Sequence, residues 1–278
     1  MNFQVKILLA TFITTVVVSL LTIPILKKLK VGQIEREDGP KSHLKKQGTP
    51  TMGGIIIIIA IIIMTIIACC YYSDNPQVNE NLIPLLLVTV GFGVIGLVDD
   101  FKKLVFKNTE GLKPAYKMLG LLLISVLYVV YLIKWANIGT ETYIPILKVY
   151  IDLPLWFFIP AAIFVMLGTT NAVNLTDGVD GLSTTVCMII ITCLTVIGII
   201  FNITEIAVFG GILCGACLGF LLFNLHPAKV FMGDTGSLLL RWCNSWNGTI
   251  FKNATYTISN SFYSCCRNNI CNDSSIVF

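Results

Sequence analysis

Five aspartates carry the chemistry of this sequence: Asp99 beside Asp100, Asp177 near Asp180, and Asp234 between two glycines. They stand in or beside three separate loops of a chain that is 55% hydrophobic and only 12% charged. A carboxylate close to lipid is costly and is by default a functional group. Adjacent carboxylates at a helix end repel each other, and the C-terminal helix dipole disfavours them further. Something must compensate, and a divalent cation or a substrate cation is the natural candidate; a hard ion such as Mg²⁺ takes oxygen ligands and usually bridges to substrate phosphates. The alternative for Asp99 and Asp100 is a solvated helix end balanced by Lys102 and Lys103.

The neighbouring stretches supply complementary groups. The run from Gly39 to Gly54 reads GPKSHLKKQGTPTMGG. Its Gly and Pro set a turn before a helix, where Lys46, Thr49 and Thr51 offer a cation and hydroxyls to a phosphate. A basic segment that only fixes membrane orientation explains the same residues. The run from Asn171 to Ser183 reads NAVNLTDGVDGLS. Its amides and carboxylates, Asn171, Asn174, Asp177 and Asp180, suit a sugar or nucleoside rich in hydroxyl and imide groups. Its acidic spacing does not fit a calcium-binding EF-hand loop, and a capped helix start is the structural alternative. The run from Val230 to Leu238 reads VFMGDTGSL, with Asp234 as a further metal ligand and Phe231 as a ring that could stack on a base.

The elements that position these loops are membrane spans. Mean hydropathy is +0.83. Apolar runs near 5–26, 53–72, 82–98, 116–134, 154–170, 181–201 and 205–223 are long enough to cross as helices. The fold class is therefore all-α, a polytopic transmembrane bundle. Lys27, Lys28, Lys30, Arg36, Lys41, Lys45 and Lys46 crowd one loop, and Lys102, Lys103, Lys107, Lys113 and Lys117 another. The loop near 72–81 holds Asp74 and Glu80 without a base. The basic loops are expected on the cytoplasmic side, with the N-terminus outside. Counting spans forward brings every motif to that one face. A net charge of +4 clustered this way fits membrane orientation, not nucleic-acid binding. A transporter would hold its acids at mid-span rather than at span ends. Cys214 and Cys217 form a CxxC with no second ligand pair beside it, so the cysteines read as small buried hydrophobes.

The composition changes after Leu240. From Arg241 onward there is no leucine, and Asn, Ser, Cys and aromatics dominate. Codons permitted for RWCNSWNG, read one base later, can give GGAIAGM, and those for CCRNNICN can give VVETISV. Both resemble membrane-helix sequence. The expected organisation is a membrane domain over 1–240, left incomplete, and a frameshifted tail over 241–278 that does not pack as a membrane helix. The chain as written is then expected to turn over little, and a restored frame to restore turnover.

Taken together, GPKSHLKKQGTPTMGG, GLVDDFKK, NAVNLTDGVDGLS and VFMGDTGSL resemble the signatures of the polyprenyl-phosphate sugar-1-phosphate transferases, in the same order and spacing. SHLKKQGTPTMGG and NAVNLTDG resemble the branch that uses UDP-MurNAc-pentapeptide rather than the sister enzymes for N-acetylglucosamine-1-phosphate. The resemblance covers residues 1 to about 240. It implies ten membrane helices and a histidine-rich loop, MAPxHHH, that this sequence lacks. It also implies a Mg²⁺-dependent reaction in a bacterial plasma membrane. UDP-MurNAc-pentapeptide and undecaprenyl phosphate give UMP and the first lipid intermediate of peptidoglycan synthesis. By motif match, Asp99 is the base or nucleophile with Asp100 beside it, and Asp234 is the Mg²⁺ ligand. Asn171, Asn174, Asp177, Asp180 and Phe231 match the nucleotide-sugar site, and Lys46 and Lys107 match basic positions of the same cleft. The lipid bilayer is the surrounding medium, and a second copy of the chain is a candidate partner.

Overall fold

The computed structural model describes residues 3–28, 49–106, 111–134, 141–144, 149–172, 181–200 and 202–245. The helices in chain order are α1 (Phe3–Lys28), α2 (Gly54–Tyr71), α3 (Pro76–Phe106), α4 (Pro114–Lys134), α5 (Leu155–Ala172), α6 (Leu182–Ile200), α7 (Thr204–Asn224) and α8 (Gly233–Ser245). Six of them, α1 to α4 with α6 and α7, are long and apolar enough to cross a membrane. The seventh expected span is present as α5, whose apolar stretch is shorter. The protein is a multi-pass helical membrane bundle.

Two details differ from the sequence expectation. A small antiparallel hairpin, β1 (Glu141–Ile144) with β2 (Val149–Asp152), stands in the connection expected to be plain loop. Its β-branched and aromatic residues Tyr143, Ile144, Val149, Tyr150 and Ile151 favour extended pairing. The helix α3 also continues past Asp99 and Asp100 to Phe106, so the pair lies within its last turns rather than at its end. At about 1.5 Å per residue its 31 residues measure about 46 Å, well beyond the ~30 Å hydrocarbon layer. Its apolar stretch ends at Val98, so the aspartates stand in the polar last turns of the helix.

Lipid offers no hydrophobic drive to bring helices together, so close backbone approach and satisfied polar groups must do it. The contact between α1 and α7 shows how. Thr11, Thr15 and Ser19 of α1 are buried and return their hydroxyls to the carbonyls of Ile7, Thr11 and Thr15 at 2.7–2.8 Å. Facing them, a Cβ added at Gly215 would overlap the Leu8 carbonyl, and one at Gly219 would come within 2.7 Å of Thr15. Large side chains on the outer surfaces, such as Ile13, Leu20 and Leu21 on α1, are left to lipid.

The two ends of the bundle have different chemistry. At one end Phe3 stacks on Tyr71 with ring centroids 3.9 Å apart, and Asn81 donates to Glu205 at 3.1 Å. At the other end α3 finishes and α2, α4, α6 and α8 begin.

Candidate functional site

The site is built where α3 meets α8. A Cβ on Gly96 would overlap the Asp234 carbonyl, so only glycine lets the two backbones touch there. One turn further along α3 stand Asp99 and Asp100, buried at 3% and 5% exposure. Asp234 lies in the first turn of α8 and reaches the same spot. One carboxylate oxygen from each of Asp99, Asp100 and Asp234 can be chosen so that all three lie within 4.8 Å of one another. That is a hard-oxygen donor set of the kind a divalent cation takes.

Two lysines hold the cluster. Lys103, one turn after Asp99, reaches Asp99 Oδ2 at 2.8 Å and Asp234 Oδ2 at 2.7 Å. Lys117, near the start of α4, reaches Asp234 Oδ2 at 3.1 Å and Asp99 Oδ2 at 3.5 Å. The Leu112 amide donates to Asp99 Oδ1 at 2.6 Å. Burial pushes the Asp234 carboxyl up, but the ammonium groups of Lys117 and Lys103 outweigh it and hold Asp234 below the usual carboxylate range. A lowered pKa means that the charged form stabilises the fold. That contribution is present above the unfolded pKa and is lost as pH falls through the lowered one.

From sequence, Lys103 is an orienting charge or the counter-charge of a solvated helix end, and Lys117 an orienting charge; the fold brings both to Asp234. The Asp99–Lys103 spacing of four residues on a helix was the available signal. Replacing Lys117 with Met leaves Asp234 one ammonium short and removes a cation from the centre. Any activity that draws on this centre is expected to fall roughly 100-fold, as read from initial rates.

The first and fourth loops are clasped through their backbones. Phe231 donates its amide to the Pro50 carbonyl at 2.8 Å, and its carbonyl accepts from Gly53 at 2.8 Å. Gly54 donates to Met232 at 2.8 Å. A Cβ at Gly54 would overlap Gly236, so α2 and α8 start in direct contact. Thr49 opens this segment and is half-buried, as is the Phe231 side chain. The exit of the third loop joins the same assembly. Thr184, at the start of α6, donates to buried Asn224 at 2.8 Å, and Asn224 donates to the Val230 carbonyl at 3.0 Å.

Of the residues singled out from sequence, Asp99, Asp100 and Asp234 come together, with Thr49 and Phe231 in the adjoining clasp. Asn171 lies in the last turn of α5. Lys46, Lys107, Asn174, Asp177 and Asp180 lie outside the described residues. The arrangement can bind a divalent cation, neutralise phosphate oxygens with two lysines, and hold a carboxylate next to both.

Comparison with known proteins gives the same direction. The model of Glycosyl transferase family 4 matches residues 82–247, and Phospho-N-acetylmuramoyl-pentapeptide-transferase signature 1 matches residues 46–58. A phospho-N-acetylmuramoyl-pentapeptide-transferase of Halalkalibacterium halodurans is 45% identical over 233 residues, covering 84% of this chain and 70% of that protein. Its counterpart in Clostridium perfringens is 48% identical over 238 residues, covering 84% and 71%. The one in Caldicellulosiruptor bescii is 44% identical over 233 residues, covering 84% and 70%. With its buried aspartates at the end of a membrane bundle, the chain belongs to glycosyl transferase family 4, among the phospho-N-acetylmuramoyl-pentapeptide-transferases.

Proposed function

We propose that this enzyme transfers phospho-MurNAc-pentapeptide from UDP-MurNAc-pentapeptide to undecaprenyl phosphate, releasing UMP and forming the first lipid intermediate of peptidoglycan synthesis. The observation that carries the reading is the meeting of Asp99, Asp100 and Asp234 with Lys103 and Lys117 where the helices emerge from the apolar layer. One substrate is water-soluble and the other is anchored in the bilayer, and a centre at the mouth of the bundle is reachable by both. The motif face is cytoplasmic and the N-terminus outside, which the lysine-rich loops support. The membrane is the bacterial plasma membrane. A second copy of the chain as partner belongs to the same proposal, and the mass of the detergent-solubilised protein tests it.

Magnesium fits the residues present: carboxylate oxygens are its preferred donors, and Asp234 would hold it. When bound, the ion supplies neutralisation of the pyrophosphate and of the departing UMP. The chain's own groups do the rest. Lys103 and Lys117 balance charge around the transferring phosphoryl group. Asp99 is buried and held at both oxygens, by Leu112 and by the lysines, which suits a base better than a nucleophile that must swing into line. It takes the proton of the acceptor phosphate, whose oxygen attacks the sugar-bearing phosphorus as the bond to UMP breaks. Phe231 stacks on the uracil, Thr49 and Lys46 meet phosphate oxygens, and Lys107 lines the same cleft. Asn171, Asn174, Asp177 and Asp180 recognise the nucleotide sugar.

A donor competition tests the substrate. Excess UDP-N-acetylglucosamine should leave formation of lipid-linked product from UDP-MurNAc-pentapeptide unchanged, and UMP should appear only when undecaprenyl phosphate is present. UMP released from donor alone would instead point to Asp99 as the nucleophile.

The frameshift after Leu240 stays part of this proposal. The coding DNA tests it: a frame one base later that reads GGAIAGM and VVETISV supports it, and any other reading removes it.

A further inference from the structure

Asp100 differs from its two neighbours in what its oxygens do. Its Oδ2 accepts from the Thr235 amide at 2.9 Å and from the Thr235 hydroxyl at 2.7 Å. Its Oδ1 accepts from the Asp234 amide at 3.2 Å. The lysines that hold Asp99 and Asp234 make no ion pair with it among the described residues. The first amides of a helix have no partner within that helix, and α8 begins at Gly233. Asp100 therefore supplies, from another helix, the cap that α8 does not take from its own preceding residues. The fit is close. Gly233 has φ +72°, and a Cβ there would lie 2.6 Å from Asp100 Oδ2. Thr235 is fully buried, so its hydroxyl has no solvent to turn to.

We infer that Asp100 is a positioning residue rather than a reacting one: with the Thr235 hydroxyl it locks the start of α8, which sets Asp234 against Asp99, Lys103 and Lys117. A carboxylate is suited to this because it accepts three hydrogen bonds at two oxygens and its charge complements the positive end of the helix dipole. Asn in its place keeps one acceptor oxygen and turns an NH₂ toward a backbone amide. The inference rests on the proposed metal chemistry only for its consequence at Asp234. The cap itself is independent of it.

The test compares wild type with Thr235→Val, Thr235→Ser and Asp100→Asn in the intact chain. Valine has threonine's shape without the hydroxyl, and serine keeps the hydroxyl. Hydrogen exchange at the Asp234 and Thr235 amides reads the cap, and Mn²⁺ affinity by electron paramagnetic resonance reads the placement of Asp234. In wild type both amides should be protected, and Asp100→Asn should speed their exchange by about 10-fold or more. Thr235→Val should weaken Mn²⁺ binding about 10-fold although Thr235 is no ligand, and Thr235→Ser should restore it to within about 2-fold. Fast exchange in wild type, unchanged protection in Asp100→Asn, or wild-type Mn²⁺ affinity in Thr235→Val overturns the positioning role. Protected amides in a wild-type chain that binds no Mn²⁺ overturn the proposed metal site instead and leave the cap standing.

Discussion

In the chain with its frame restored after Leu240, Asp99→Asn and Asp234→Asn are each expected to lower phosphosugar transfer by about a thousandfold or more. The two losses should differ in kind. Asp99→Asn removes the base, so turnover should fall with the Mg²⁺ requirement little changed. Asp234→Asn removes a charged oxygen from a hard-ion site and leaves Lys103 and Lys117 with one carboxylate fewer. Its activity should fall and the Mg²⁺ concentration for half-maximal rate should rise. Initial rates across a Mg²⁺ titration separate the two. Wild-type rates in either variant would remove that residue from the mechanism.

The second large effect is structural. Gly96→Val should separate α3 from α8, because its Cβ would collide with the Asp234 carbonyl, a backbone atom that cannot rotate away. Overpacking at a rigid contact costs about 1–3 kcal/mol and more when nothing can yield. Here it also moves Asp234 away from Asp99, so the activity loss should exceed what the drop in stability explains. Thermal unfolding in detergent together with transfer rate checks this. A variant with normal melting and normal turnover would mean that the contact is not formed. Gly91→Val is the control, since its Cβ would meet only the flexible end of Ile124 at 3.1 Å.

The convergence of Asp99, Asp100 and Asp234 was legible because charge alternation between loops assigns each motif to an end of the bundle. Hydropathy likewise marked the apolar runs that became α1 to α7. The continuation of α3 past Asp99 was not legible, because a pair of acids reads as a helix end when their compensating partners are unknown. Lys103 lies on the same helix and Lys117 on the next, and only folding shows that both converge on Asp234. The clasp between Pro50–Gly54 and Phe231–Met232 uses backbone groups, which leave no trace in residue type beyond the glycines. Thr235 was hidden for a related reason: a threonine after an aspartate reads as part of a helix start. Its role depends on Asp100, 135 positions away.

The reaction itself is the most direct test of these roles. Purified chain, as written and with the frame restored after Leu240, is supplied with UDP-MurNAc-pentapeptide, undecaprenyl phosphate and Mg²⁺. UMP and lipid-linked product are then counted. The frame-restored chain is expected to release one UMP for each lipid-linked phosphosugar, chelation of the metal to stop both, and the chain as written to make little. A frame-restored chain that folds and forms no lipid-linked product, or one whose product survives loss of both Asp99 and Asp234, would contradict these roles.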